Sequence, residues 1–286
     1  MLALNQARRG WMMRRDKTFN WPCIPIMKPP KAPPIAKPRV SQPTDTPTPK
    51  DWRTLTRNDS VSLPPSNDPF QVSTEFSPGF ADWLGRSNVS LACTTYVSNQ
   101  LIFLGRDAKG EALAAGAPLN RPTGLALFGG RLFVGCHNDI TRFENILGPD
   151  EIASGMFDRQ FVPRNVQITG YLDIHELVIE DSGRLLFTNS QHSCVATLSQ
   201  RQSFKTVWQP KFISQLVPED RCHLNGLALE NGRLRYVTVC GLSDTEEGWR
   251  ADRLTGGAVI DVATDTVLSA GLGMPHSPRL HGGQLY

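Results

Sequence analysis

Three histidines with polar neighbours raise the question of metal chemistry in this 286-residue chain. His175 lies between Asp173 and Glu176 in "LDIHEL", His223 follows Asp220 and Arg221 and stands two residues before Asn225 in "DRCHLNG", and Arg279 follows His276 in "MPHSPR". Imidazole nitrogens beside amide and carboxylate oxygens suit a divalent transition metal, with Zn, Fe or Mn better matched than Mg or Ca. Such an ion acts as a Lewis acid or lowers the pKa of a bound water. On this reading His175, Asn225 and His276 are ligands, and His223 joins them from one step along the same strand face. Glu176 or Asp173 is then the general base, or the carboxylate that orients His175. The competing explanation is structural, because a buried polar group requires a hydrogen-bond partner and not a function.

What would bring these residues together is repetition. "PTGLALFGGRLFVG" (122–135), "IHELVIEDSGRLLFTN" (174–189), "LNGLALENGRLRYVT" (224–238) and "PHSPRLHGGQLY" (275–286) align, and Thr123, His175, Asn225 and His276 fall at spacings of 52, 50 and 51 residues. A period near 50 with several strands in each unit belongs to a β-propeller rather than a solenoid. From Asn225 the strands read "GLAL", "RLRYVTV", "GGAVIDV" and "TVLSAGL", with a hairpin turn at Asn231-Gly232. The preceding unit gives "HELVI", "RLLFTNS", "CVATLS" and "FKTVWQ", and "LACTTY" with "QLIFLG" forms an earlier pair. The fold class expected is all-β, a propeller of four-stranded blades of about 50 residues, over 71–286. In such a ring the first strand of each blade lines a central channel, so the four repeated polar positions converge on its axis. Because the sequence stops within a blade's second strand, a C-terminally truncated propeller is expected. Between the second and third strands of one blade, "SDTEEGWRAD" forms a polar loop able to rim the channel, where Trp249 and Arg250 would stack on a substrate, with Arg279 close by.

The remainder of the chain differs in kind. Residues 1–70 hold 13 of the 22 prolines and 12 Lys and Arg against 5 Asp and Glu, leaving 18 against 22 for the rest. That segment reads as a basic, Pro-rich disordered tail, since it cannot bury enough apolar surface to offset chain entropy. Ahead of the strands, "SPGFADWLG" predicts a short helix capped by Ser77 with Pro78 at its first position. The six cysteines form no CxxC pair and are too sparse for a disulfide scaffold, which points to a reducing, cytoplasmic setting. No apolar run reaches the length of a membrane span. The mildly acidic body, with no basic stripe, argues against nucleic acid as a partner. GxSxG, P-loop and HExxH signatures are absent from the sequence.

The motifs "RPTGLAL", "ITRFEN", "LDIHEL", "RCHLNGLAL", "VTVCGLSDTEEGWR" and "MPHSPR" together resemble a bacterial family of uncharacterised proteins known only as a domain of unknown function. The resemblance runs over roughly residues 70–286 and implies no activity. More distantly, "PTGLAL" and "LNGLAL" look like strand starts of gluconolactonase-like and strictosidine-synthase-like six-bladed propellers, some of which hold a metal on their axis. Two functional classes follow: a metal-assisted hydrolase or lyase acting on a small polar molecule, or a noncatalytic ligand-binding or protein-interaction propeller. Which of them applies, and with what protein partner, the residues leave open.

Overall fold

The computed structural model describes residues 74–286 apart from 108 and 156. The basic, Pro-rich segment expected over 1–70 lies outside the described residues. No helix among them is long and apolar enough to cross a membrane.

The first element among the described residues is α1 (Phe80–Ser87), two residues later than its sequence suggests. Gly79, left-handed at φ 81°, takes the cap position expected of Ser77, whose carbonyl instead accepts from Phe80 N–H. Leu84 is the buried side chain of this helix, and Phe76, Phe80 and Trp83 stack along it.

Strands follow in antiparallel sheets, as the repeat requires of a β-propeller. The first has three strands, β1 (Leu91–Thr95), β2 (Gln100–Arg106) and β3 (Ala112–Pro118). Three four-stranded blades come next. They comprise β4 (Leu125–Phe128) to β7 (Phe161–Ile168), β8 (Leu177–Ile179) to β11 (Lys205–Trp208), and β12 (Leu224–Glu230) to β15 (Thr266–Leu272), each in consecutive order. A hairpin of β16 (Leu280–His281) and β17 (Gln284–Leu285) completes the described chain. The innermost strands β4, β8, β12 and β16 touch in succession, which sets the blades around a common axis.

Local chemistry explains the repeat. Gly129-Gly130, Asn231-Gly232 and Gly282-Gly283 each connect the first two strands of a blade with both residues at positive φ. That turn twists with the strands it joins, and it is reserved for Gly and Asn by the cost of a Cβ there. Apolar side chains then pack between neighbouring blades: Leu186 and Val195 meet Leu224, Leu227, Val237 and Ile260, while Ile140 meets Ile174, Leu177 and Phe187. β3, "ALAAGAP", escaped the sequence reading because Ala and Gly carry little strand signal.

Candidate metal centre at the blade lead-ins

Each blade is preceded by a short lead-in with one recurrent backbone feature. Arg121, Asp173, His223 and Met274, spaced by 52, 50 and 51 residues, are all left-handed, with φ of 46°, 54°, 49° and 46°. Two residues on come Thr123, His175, Asn225 and His276. His175 therefore stands just ahead of β8 rather than inside a strand, and the turn at Asp173 leaves the Asp173 carbonyl facing the His175 ring, 3.0 Å from Nδ1. His276 repeats this with the Met274 carbonyl at 2.7 Å. The lead-in of the β8 blade is further pinned by Thr188, whose hydroxyl accepts from the backbone N–H of both His175 (2.9 Å) and Glu176 (3.1 Å).

In the β12 blade the same geometry carries different side chains. His223 occupies the left-handed position, and its Nδ1 lies 2.9 and 3.0 Å from the two carboxylate oxygens of Asp220. Asp220 also accepts from Trp249 Nε1 at 2.9 Å, and the indole stacks on His223 with ring centroids 4.3 Å apart. The loop supplying Trp249 is held by Arg221, which donates to Glu219 (2.8 Å) and to Asp244 (2.7 Å). Gly241 permits the approach, since a Cβ there would lie 2.8 Å from Trp249 Cα.

The consequence is a cluster: ring nitrogens of His175, His223 and His276 all lie within 4.8 Å of one another. Centroid separations are 4.8 Å for His175 and His223, 5.8 Å for His175 and His276, and 6.1 Å for His223 and His276. Every one of the three has an oxygen acceptor at Nδ1, a carbonyl or a carboxylate with no proton to give. Nδ1 therefore carries the hydrogen, and the neutral ring keeps its lone pair on Nε2. Burial also pulls the His276 pKa below the ordinary imidazole value, which favours that neutral form.

The remaining sequence candidates separate from this group. Asn225 does not join it; its Oδ1 accepts from the Thr238 hydroxyl at 2.7 Å and its Nδ2 lies 3.1 Å from Cys240 Sγ, so both ends of a fully buried amide are spent on its own blade. Glu176 and Arg279, from different blades, bond to each other through two N–H···O contacts of 3.0 and 3.1 Å. Burial raises the Glu176 pKa and Arg279 opposes that rise. Asp173 keeps its carboxylate 3.9 Å from His175 Nδ1. Trp249 is not on the rim but 5% exposed beneath His223, with the exposed Arg250 guanidinium 4.5 Å from its ring centre and paired with Glu247. Cys222, adjacent to His223, is buried and its thiol is pushed up to about 12, which makes it inert as a nucleophile. Asp220 is the participant to which sequence reasoning gave no role. Its signal was present as the three-residue spacing in "DRCH", visible only once both residues are known to sit in one turn.

A family model described as a domain of unknown function, DUF4915, matches residues 78–286. The chain belongs to the DUF4915 family. Among curated proteins none matches it in sequence. Solved structures similar to this DUF4915 chain include virginiamycin B lyase from Staphylococcus aureus, at 12% identity and a TM-score of 0.40 over 70% of this chain and 59% of that one. A streptogramin B lyase gives 12% identity and a TM-score of 0.40 over 68% and 71%. A structural-genomics protein of unknown function from Bacteroides thetaiotaomicron gives 10% and 0.34 over 67% and 54%. The chain thus spans about three-fifths of the length of the first of these. At such distances nothing about a reaction passes from those proteins to this one.

Proposed function

We propose that His175, His223 and His276 hold a divalent transition metal, with zinc, iron or manganese as the candidates, and that the site hydrolyses or eliminates across a small polar substrate. The observation that carries this reading is the threefold Nδ1 arrangement: three imidazoles from three blades are each oriented by an oxygen so that three Nε2 lone pairs remain for one ion. Zn–N bonds of about 2.0–2.1 Å place tetrahedral ligand nitrogens roughly 3.3 Å apart, so ring nitrogens within 4.8 Å of one another would each move in by about 1 Å. Three neutral imidazoles leave a coordination position for water or substrate, where an ion supplies Lewis acidity.

The surrounding side chains divide the work. Asp220 fixes the His223 tautomer and adds negative charge behind the ring, as outer-shell carboxylates do for metal-bound histidines. Asp173, next to the cluster and without an arginine partner among the described residues, is the candidate proton acceptor. Glu176 is the weaker candidate, because Arg279 already engages both of its oxygens.

The test compares protein stripped by a chelator with zinc-restored protein on a panel of small esters, amides and lactones, and on substrates whose elimination creates an absorbing double bond. Turnover that returns with zinc in the wild type and is missing in His223→Ala supports the proposal. A fully metallated protein with no turnover on either class would move the site to the noncatalytic, ligand-binding reading.

A further inference from the structure

Beside the histidines lies a shallow notch, open on one side, whose enclosed space is about that of one water molecule, so a ligand group would meet it from the open side. Its lining includes Tyr96, Arg121, Thr123, His137, Tyr171 and Asp173. Two links make it continuous with the candidate centre: Asp173 both lines the notch and approaches His175, and the Thr123 hydroxyl donates to the carbonyl of Ile174, one residue before His175. Arg121 occupies the left-handed lead-in position that His223 occupies in its own blade, which sets it at the same end of the blades. Its N–H donates to Asn99 Oδ1 at 2.8 Å, which holds the turn.

The guanidinium of Arg121 rests 4.7 Å from the centre of the Tyr96 ring. Arg184, Arg221, Arg235, Arg250 and Arg279 each hold a carboxylate of this chain, whereas no carboxylate among the described residues pairs with Arg121. A stacked guanidinium is a preorganised fork for a planar carboxylate. Tyr171 and His137, with ring centroids 4.7 Å apart, also line the notch. The Tyr171 hydroxyl bonds Asp173, and burial together with that neighbouring charge pushes its pKa up to about 12, so it stays protonated. Because Asp173 also faces the notch, a dianion such as phosphate is repelled more strongly than a monoanionic carboxylate.

We propose that this notch is a carboxylate subsite, in which Arg121, backed by Tyr96, anchors a carboxylate of the substrate so that the rest of the molecule extends over the three histidines. This rests on the metal-site reading and narrows its substrate class to small carboxylic acids.

The probes are benzoate and its neutral analogue benzamide, titrated calorimetrically into metal-free full-length chain, with zinc titrated into the same samples. Arg121→Asn removes the fork while keeping a residue at ease in the left-handed region, and Arg121→Lys keeps the charge without the fork. Wild type should prefer benzoate by roughly tenfold or more, as a charge-assisted pair supplies. Arg121→Asn should lose that preference, Arg121→Lys should retain part of it, and both should bind zinc as wild type does. Equal binding of the two probes by wild type, or an undiminished preference in Arg121→Asn, overturns the subsite while leaving the metal centre intact. A wild type with no zinc affinity overturns the metal reading, and the subsite proposal with it.

Discussion

At the lead-in to the β8 blade the left-handed residue is Asp173 and the axial residue is His175; at the lead-in to the β12 blade the same two positions hold His223 and Asn225. The backbone is shared, yet the imidazole comes from a different position in each. In the first it is held by the carbonyl two residues back and stays partly open. In the second it is buried, held by the Asp220 carboxylate and covered by the Trp249 indole. The vacated axial position is then filled by an amide that closes on Thr238 and Cys240. One repeated turn can therefore present an imidazole from either of two residues, and in the β12 blade the other residue, Asn225, becomes structural.

That division can be broken at several points. Asn225→Ala strands a buried hydroxyl and removes a packed amide, so it should cost about 2–3 kcal/mol in urea unfolding while zinc affinity barely changes; a large loss of zinc with little loss of stability would return Asn225 to the ligand set. Asp220→Asn should do the reverse, weakening zinc by roughly 10–100-fold through His223 with a smaller effect on the fold. Arg279→Gln removes the partner of a buried Glu176, but Arg279 is half exposed, so a loss of about 1 kcal/mol is expected from the unfolding midpoint.

The smallest effect concerns the loop that carries Trp249. Hydrogen bonds from Ser214, then the Arg221 guanidinium, hold the Asp244 pKa down to about 2 against an ordinary 3.8. A depressed carboxylate stabilises the fold above its unfolded pKa, and that contribution fades as pH falls from about 4 through about 2. The difference in midpoint between wild type and Asp244→Asn should hence be constant at neutral pH, shrink as pH falls from about 4 and vanish only below about pH 2; a difference that grows on acidification contradicts the assignment.

The blades were legible because spacing survives in sequence: the Gly-Gly and Asn-Gly turns and the alternating apolar runs fix period, strand count and the convergence of His175 and His276. His223 was legible as a neighbour, though not as the best-held ring of the three. Less legible was the direction in which Asn225, Trp249 and Arg279 face. Whether Asn225 faces the cluster or its own blade depends on Thr238, thirteen residues away on another strand. Whether Trp249 meets a ligand or a histidine depends on how Arg221 and Asp244 fold its loop back. Glu176 and Arg279, 103 residues apart, pair only because two blade lead-ins meet. These are tertiary facts with no local signature.

The central claim is that three blades supply one metal site. The most direct measurement is the metal content of the full-length chain by elemental analysis after incubation with zinc and removal of the excess, for wild type and for His175→Ala, His223→Ala and His276→Ala, each checked for folding by circular dichroism. The account predicts one zinc per wild-type chain and almost none in any of the three folded variants. Folded wild-type chain without zinc, or zinc that persists in all three variants, would contradict it.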